Sequence, residues 1–248
     1  MGKEISDNLI LVRERIAAAA RKSGRSCREV TLVAASKTVA VENILEAINA
    51  GQKVFGENYV QEGRNKIEVL RGMGVMPPKG VKSIAREGKG VQIHLIGKLQ
   101  HNKVKYAVML FDVIESVHSK EIASAISNEA EKRGLVQTIY VQINIAEEGT
   151  KSGVMPDEAK DLCKYAMGLR GVDLQGLMTI GSLQHLGQDL SNIRRREFED
   201  MRMLKADIER DIGAPITEIS MGMSDDFELA IECGATVVRV GRAIFGSR

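Results

Sequence analysis

Residues 30–37 read Val30-Thr31-Leu32-Val33-Ala34-Ala35-Ser36-Lys37, a run of apolar and β-branched side chains that ends abruptly on a lysine. Such a run, without the 3.6-residue period of an amphipathic helix, is typical of a strand buried on both faces in a parallel sheet. A lysine at the carboxyl end of that strand lies where α/β barrels place their functional groups. Partial desolvation there would favour the neutral amine, which attacks aldehydes and forms Schiff bases. A lysine that simply extends into solvent is the alternative.

Composition and charge exclude several classes of protein. A net charge of +2 over 248 residues gives no reason to expect nucleic acid or an anionic membrane as partner. Cys27, Cys163 and Cys233 are far apart and in no metal-ligand spacing, which is typical of reduced thiols. The sequence has neither an apolar leader nor a run long enough to span a membrane. We therefore expect a cytoplasmic protein without a metal site.

Eight predicted strands alternate with helices along the chain. An amphipathic helix at residues 4–22 comes first, because apolar side chains recur there at spacings of three and four. The strands are predicted at residues 30–37, 53–56, 91–96, 111–117, 138–145, 172–180, 215–221 and 236–245. This alternation implies parallel βαβ units, and eight of them match the size of a closed (β/α)8 TIM barrel with an extra N-terminal helix. An open doubly wound sheet is the runner-up, but no glycine-rich dinucleotide motif follows the first strand.

Residues 72–90 differ in character from the rest. They hold Pro77 and Pro78, several glycines and several basic residues. We interpret the segment as an insertion loop, with a basic phosphate-binding arm as the alternative.

The ends of strands seven and eight suggest a phosphate site. Loops at this place in α/β barrels commonly bind phosphate. Strand seven ends in Ser220-Met221-Gly222-Met223, and Ser224 is predicted to be the N-cap of the next helix. We expect Ser220 to donate a hydroxyl hydrogen, and Gly241 and Arg242 to supply backbone amides from strand eight.

Arg239 interrupts the valine-rich strand eight. An arginine in a buried strand needs a partner, because an unpaired buried charge is costly. That partner is either a carboxylate from a neighbouring strand or a ligand atom that accepts a hydrogen bond. A Schiff-base lysine, a phosphate cup and an arginine beside a pyridine nitrogen together form a pyridoxal-phosphate site. His94, within strand three, is expected to be a hydrogen-bonded core residue.

Several motifs match one protein family in order from residue 34 to the C-terminus. They are Ala34-Ala35-Ser36-Lys37-Thr38, Phe55-Gly56-Glu57-Asn58-Tyr59-Val60-Gln61-Glu62, His94-Leu95-Ile96-Gly97-Lys98-Leu99-Gln100-His101-Asn102-Lys103, Gln142-Ile143-Asn144, Lys151-Ser152-Gly153, Gly176-Leu177-Met178, Ser220-Met221-Gly222-Met223-Ser224-Asp225-Asp226-Phe227 and Val238-Arg239-Val240-Gly241-Arg242-Ala243-Ile244-Phe245-Gly246. With these motifs the sequence resembles the pyridoxal-phosphate homeostasis proteins, the YggS/PROSC-type relatives of the alanine racemase barrel.

The resemblance implies a single pyridoxal-phosphate-binding TIM barrel over residues 1–248, of the alanine racemase N-terminal-domain type (fold type III). It implies an imine between the cofactor and Lys37, and an arginine, Arg239, facing the pyridine nitrogen. The implied cofactor-binding residues are Lys37, Asn58, Ser220, Met221, Arg239, Gly241 and Arg242. Two positions depart from the family pattern. Ile93 stands where an aromatic residue is usual, and Arg242 stands where a small hydroxyl residue is common, which leaves its side-chain contact with phosphate open.

The same residues favour a carrier over a catalyst. An arginine is always protonated and can only donate to the ring nitrogen, so the ring stays a poor electron sink. Racemising relatives use a second base, a tyrosine from a partner subunit, and an added β domain. Because this sequence ends at Arg248, directly after strand eight, we expect neither.

We therefore expect a protein that holds, buffers or delivers pyridoxal 5′-phosphate, without catalytic residues. Its expected partners are the cofactor and apo forms of pyridoxal-phosphate enzymes, and the chain is expected to be a monomer. A slow amino-acid racemase and a sugar-phosphate enzyme without an aldehyde cofactor are the alternatives.

Overall fold

Eight parallel strands close into a barrel in the computed structural model, which describes residues 2–76, 90–149, 152–182 and 190–246. The strands are β1 Thr31–Ala35, β2 Val54–Glu57, β3 Gln92–Leu95, β4 Val113–Val117, β5 Gln137–Ile143, β6 Val172–Thr179, β7 Glu218–Ser220 and β8 Val237–Val240. Each strand pairs with the next along the chain, and β8 closes the barrel by pairing with β1. The predicted (β/α)8 barrel is confirmed, and the open doubly wound sheet is wrong.

Helices cover the outside of the barrel. They are α1 Gly2–Lys22, α2 Val41–Asn49, α3 Val60–Gly72, α4 Val104–Leu110, α5 Lys120–Glu131, α6 Pro156–Met167, α7 Leu190–Ile212, α8 Phe227–Glu232 and α9 Arg242–Phe245, with 3₁₀ helices at Cys27–Glu29 and His101–Lys103. The predicted extra helix is α1, which buries Leu9, Val12 and Ile16 and packs against α2, α8 and α9. Among the helices described, none is both long and apolar enough to cross a bilayer.

The apolar core has two layers because side chains alternate along each strand. The larger layer lies between the strands and the helices and includes Ala34, Phe55 and Ile114. The smaller layer fills the barrel interior, where Val33 packs in the same cluster as Val237. Position 239 shares the face of Val237, so β8 points the Arg239 side chain into the barrel.

The last strands are shorter than the sequence pattern predicted. β7 covers three residues, Glu218–Ser220, and Pro215 precedes it because proline has no hydrogen to donate to a neighbouring strand. β8 ends at Val240, and residues 242–245 form α9, with Phe245 N–H bonded to the Gly241 carbonyl at 2.9 Å. Of the predicted loop at 72–90, residues 77–89 lie outside the described residues.

Candidate functional site

A cavity of about 440 Å³ opens at the carboxyl ends of the strands, where the sequence predicted the functional residues. The residues that line it come from the ends of β1, β2, β3, β6 and β8 and from the loop after β7: Ala35, Lys37, Asn58, Ile96, Ile180, Met223, Ser224, Asp225, Arg239, Gly241 and Arg242. Its walls therefore combine apolar side chains with polar and charged ones. Five of the seven residues implied in cofactor binding line the cavity, and Ser220 and Met221 do not.

Lys37 lies two residues beyond the end of β1, in a turn that the Val39 N–H closes onto the Ser36 carbonyl at 3.0 Å. The side chain is exposed, so the predicted partial desolvation is wrong: the strand ends before Ser36, and the turn carries the lysine out to the rim. Within the described part of the chain, its amine has no hydrogen-bond or ion-pair partner. The amine is thus available to a ligand in the cavity.

The residues on both sides of Lys37 are held in place. The Ser36 hydroxyl donates to Oε1 of the buried Glu57 at 2.6 Å, and the Ser36 carbonyl accepts from Lys66 Nζ at 2.6 Å. The Thr38 N–H donates to Glu62 Oε1 at 2.5 Å. Thr38 has a φ of 59°, which is unusual for a β-branched residue and costs on the order of 1–3 kcal/mol. These contacts hold the turn in its strained form.

Glu57 lies at the end of β2 and is almost completely buried. Burial raises the pKa of the Glu57 carboxyl above its usual value, and the hydrogen bond from Ser36 and the charge of Lys66 oppose that shift. Lys66 also bonds to Glu62 at 2.7 Å, one helical turn earlier on α3. The turn after β1 therefore rests on a small cluster of buried charge, which the sequence analysis missed because its members come from three separate segments.

Arg239 is 5% exposed and lines the cavity. Nη1 donates to the Ser220 hydroxyl at 2.5 Å, and Nη2 donates to the Thr179 carbonyl at 2.7 Å. Nη1 also lies 4.0 Å from a carboxylate oxygen of Glu115. Glu115 belongs to β4, on the opposite side of the barrel, so the carboxylate comes from across the interior and not from a neighbouring strand.

Glu115 connects Arg239 to two further side chains. One carboxylate oxygen accepts from the Ser220 hydroxyl at 2.6 Å, and the other lies 2.6 Å from Nδ1 of His94. Burial acts to raise the pKa of Glu115, but hydrogen bonds and charge from His94, Arg239 and Ser220 hold it below its ordinary value. An ionised carboxylate only accepts hydrogen bonds, so His94 carries a hydrogen on Nδ1. The predicted role of His94 as a hydrogen-bonded core residue is confirmed.

Ser220 and Met221 are completely buried and do not line the cavity. The Ser220 hydroxyl donates to Glu115 and accepts from Arg239, and Met221 packs in the outer core. Gly222 then turns the chain with a φ of 91°, in a space where a Cβ would lie 2.5 Å from Ala230. This turn brings Met223 and Ser224, and not the preceding pair, to the cavity.

The prediction that Ser224 is the N-cap of a helix is wrong. α8 begins at Phe227 with Asp226 as its N-cap, and Ser224 lies in the turn before it. The Asp226 carboxylate accepts from the Met223 N–H at 2.6 Å, and the Ser224 hydroxyl accepts from the Gly241 N–H at 3.3 Å. A hydroxyl and the start of α9 therefore meet at one end of the cavity.

Arg242 has its guanidinium bound to the Asp225 carboxylate at 2.6 and 2.7 Å, with both side chains exposed at the rim. Its side chain already has an anionic partner. Asn58, just after β2, also lines the cavity, and its side-chain amide has no hydrogen-bond partner among the described residues. The Asn58 backbone packs so closely on Gly97 that a Cβ there would lie 2.2 Å from the Asn58 carbonyl oxygen.

The titratable groups outside the cavity are the possible metal ligands in the described residues. In the ranges that the structure covers, no group of three or more histidine, cysteine, aspartate or glutamate side chains is placed to hold a metal ion. The chemistry available at the cavity is that of a free amine, a buried guanidinium and a hydroxyl beside backbone amides.

The model of the alanine racemase N-terminal domain matches residues 8–248. The pyridoxal phosphate homeostasis protein of Aquifex aeolicus is 38% identical over 242 residues, which are 98% of this chain and 97% of that protein. A crystal structure of an unknown protein from Bifidobacterium adolescentis superposes with a TM-score of 0.85 at 37% identity, covering 98% of this chain and 95% of that one.

The structure of PipY from Synechococcus elongatus PCC7942 with pyridoxal phosphate (PLP) bound superposes with a TM-score of 0.79 at 30% identity, and covers 98% of this chain and 100% of PipY. Family, fold and nearly full-length similarity agree across these comparisons. The chain therefore belongs to the pyridoxal phosphate homeostasis proteins, whose barrel is that of the alanine racemase N-terminal domain.

Proposed function

We propose that this protein binds pyridoxal 5′-phosphate in the cavity at the carboxyl ends of the strands and holds, buffers or delivers it in the cell. The observation that carries the proposal is that Lys37, whose amine has no partner among the described residues, and the buried Arg239 line one cavity of about 440 Å³. That volume lies in the range of small-molecule sites. The names of the relatives and the PLP-bound PipY structure support the choice of ligand.

Each residue at the cavity has a proposed role. The Lys37 amine would hold the aldehyde covalently, and Arg239 would donate a hydrogen bond to the pyridine nitrogen. The phosphate would be held by the Ser224 hydroxyl and by the backbone near Gly241 and Arg242. Asn58 would lie beside the ring. When bound, the cofactor supplies an electrophilic aldehyde carbon on an aromatic ring.

Ser220 and Met221 have indirect roles in this proposal. The Ser220 hydroxyl accepts from Arg239 and donates to Glu115, so it fixes the direction of the guanidinium. Met221 packs in the core directly before the Gly222 turn, and so supports the loop that carries Ser224. We assign neither residue a direct contact with the phosphate.

A carrier fits this site better than a catalyst. Arg239 keeps its proton and is bonded to Ser220 and Thr179, so it cannot move a proton to or from the ring. Among the described residues, the other charged groups that line the cavity are Asp225 and Arg242, which are paired with each other. Racemisation needs a second base, and none of the four tyrosines lines the cavity: Tyr59, Tyr106, Tyr140 and Tyr165.

The decisive experiment compares the visible absorption of the purified protein, incubated with pyridoxal 5′-phosphate, before and after borohydride reduction. We expect a visible band that reduction removes, and peptide mapping should place the modification on Lys37. Lys37→Ala should show neither band nor label. Lys98→Ala is the matched control, because Lys98 is an exposed lysine after β3 that does not line this cavity. A protein that gains no band would instead favour the sugar-phosphate alternative.

A chiral assay tests the slow-racemase alternative. The loaded protein should not interconvert amino-acid enantiomers. Turnover that Lys37→Ala abolishes would overturn the carrier interpretation.

Delivery, oligomeric state and location are further parts of the proposal. We propose that a monomer passes the cofactor to apo enzymes in the cytoplasm, and the three free thiols fit a reducing compartment. Mixing the loaded protein with an apo pyridoxal-phosphate enzyme should restore the activity of that enzyme faster than an equal amount of free cofactor, released by diluting the loaded protein, does. Equal rates would argue against direct delivery. The molar mass from light scattering tests the proposed monomeric state.

A further inference from the structure

Glu62 and Lys66 of α3 do not line the cavity, yet they bind the residues on both sides of Lys37. Glu62 Oε1 accepts from the Thr38 N–H at 2.5 Å, and Lys66 Nζ donates to the Ser36 carbonyl at 2.6 Å. We propose that this pair positions the Lys37 amine over the cavity and thereby sets how long the cofactor stays attached. The inference rests on the function proposed above and deepens it.

The donors of Lys66 are all used in this arrangement. An ammonium group has three hydrogens. Lys66 bonds to the Ser36 carbonyl, to Glu57 at 2.9 Å and to Glu62 at 2.7 Å. Its side chain is 8% exposed, and that of Glu57 is 1% exposed. The direction of each bond is therefore fixed from several sides, and the turn has little freedom to shift.

The position of this cluster indicates a functional role. A buried ion pair contributes little to stability compared with apolar side chains of similar volume. Here the charged groups contact the backbone of a turn whose Thr38 has a φ of 59°, a conformation that persists only where the surroundings impose it. The hydrogen bonds of this cluster therefore hold one backbone geometry, at the residue next to Lys37.

Backbone control is the means available to orient Lys37. Its amine has no partner among the described residues, so no side-chain contact directs it. Fixing the residues before and after it limits where the side chain can leave the rim, which keeps the amine close to the aldehyde that it binds. Small losses of such alignment reduce the rate of bond formation strongly. With the turn loosened, cofactor whose C–N bond to Lys37 has been hydrolysed by water would leave the cavity before the amine and the aldehyde condense again with loss of that water.

Glu62→Ala and Glu62→Gln form a pair of variants that separate position from bulk. Glutamine keeps an oxygen that accepts from both Thr38 N–H and Lys66, whereas alanine keeps neither contact. After loading with pyridoxal 5′-phosphate, the visible band should disappear on dilution on the order of tenfold faster in Glu62→Ala than in the wild type. Glu62→Gln should stay close to the wild type.

Glu68→Ala is the matched control on the same helix. Glu68 pairs with Arg64 at 2.7 Å with the same spacing of four residues, but both side chains are exposed, and in the described part of the chain neither has a hydrogen bond or ion pair with residues 36–38. We expect its loss rate to equal that of the wild type. Lys66→Met removes the contact to the Ser36 carbonyl and should release the cofactor faster, as Glu62→Ala does.

Two readouts distinguish positioning from general stability. The thermal midpoints of the unloaded variants report stability, and the extent of borohydride labelling at Lys37 reports alignment. A Glu62→Ala protein with a lower midpoint but unchanged loss rate and labelling would overturn this inference alone. A wild-type protein that takes up no cofactor would overturn the proposed function, and this inference with it.

Discussion

The two sides of the cavity hold their charged groups in opposite ways. On the β8 side, Arg239 is buried, and its guanidinium is bonded to Ser220 and Thr179. On the β1 side, Lys37 is exposed, its amine has no partner among the described residues, and its neighbours in the chain carry the contacts. Arg239 is therefore held through its side chain, whereas Lys37, the proposed reactive group, is held through its backbone.

The largest expected effect comes from removing the buried carboxylate beside Arg239. Glu115→Ala leaves the Arg239 guanidinium buried without its carboxylate, and such losses cost about 3–5 kcal/mol of unfolding free energy. Urea unfolding of the unloaded protein measures this cost. Asp207→Ala is the control, since Asp207 pairs with Arg210 and both side chains are exposed, where such pairs contribute about 0–1 kcal/mol. Equal losses in both variants would contradict the contrast between the two sides.

The cavity rim also depends on the close approach of the loops that follow β2 and β3. A Cβ at position 97 would lie 2.2 Å from the Asn58 carbonyl oxygen, so Gly97→Ala should destabilise by about 1–3 kcal/mol. It should also weaken cofactor binding, because Asn58 lines the cavity. Thermal unfolding and a binding titration measure the two effects. Gly72→Ala, at a position with nothing within 4 Å of a Cβ, should leave both unchanged or raise stability slightly.

The contributions of Glu57 and Glu115 to the free energy of unfolding should change with pH in opposite directions. The pKa of Glu57 is raised by burial, so its contribution to stability is present below pH 4.5 and is lost as the pH rises through the raised value. The pKa of Glu115 is lowered despite burial, so its contribution is present above pH 4.5 and is lost as the pH falls through the lowered value.

Unfolding free energies of the wild type, Glu57→Gln and Glu115→Gln measure this contrast. The wild type should lose its advantage over Glu57→Gln as the pH rises from 4.5 towards neutrality. Its advantage over Glu115→Gln should shrink as the pH falls below 4.5. Either slope is at most about 1.4 kcal/mol per pH unit, and slopes of the same sign would refute the assignment.

The smallest expected effect concerns the exposed ion pair at the rim. Asp225→Asn frees the Arg242 guanidinium and removes a negative charge from the cavity. Unfolding free energy should change by less than about 1 kcal/mol, because both partners are exposed. Binding of pyridoxal 5′-phosphate should become about twofold tighter at low salt, and the gain should vanish at high salt. A gain that salt leaves unchanged would point to a rearranged loop.

Much of the site was predictable because strand ends in a barrel meet at one face. Lys37, Asn58, Arg239, Gly241 and Arg242 all line the cavity. The sequence predicted Ser220 at the proposed phosphate site, whereas the serine that lines the cavity is Ser224. A sequence pattern shows where a strand ends only within a few residues, and the Gly222 turn then decides which side chain faces the cavity.

Sequence alone determined the alternation of eight strands and helices, and so the closed barrel, because apolar runs and turn residues are local signals. It also identified an arginine in β8 that needed a partner. Only the tertiary structure showed that Glu115 supplies the negative charge beside Arg239. Glu115 also accepts a hydrogen bond from Ser220, which lies 105 residues away in the chain, because the two residues meet across the closed barrel. The cluster beneath Lys37 was hidden for the same reason: contacts between distant segments exist only once the strands have closed on themselves.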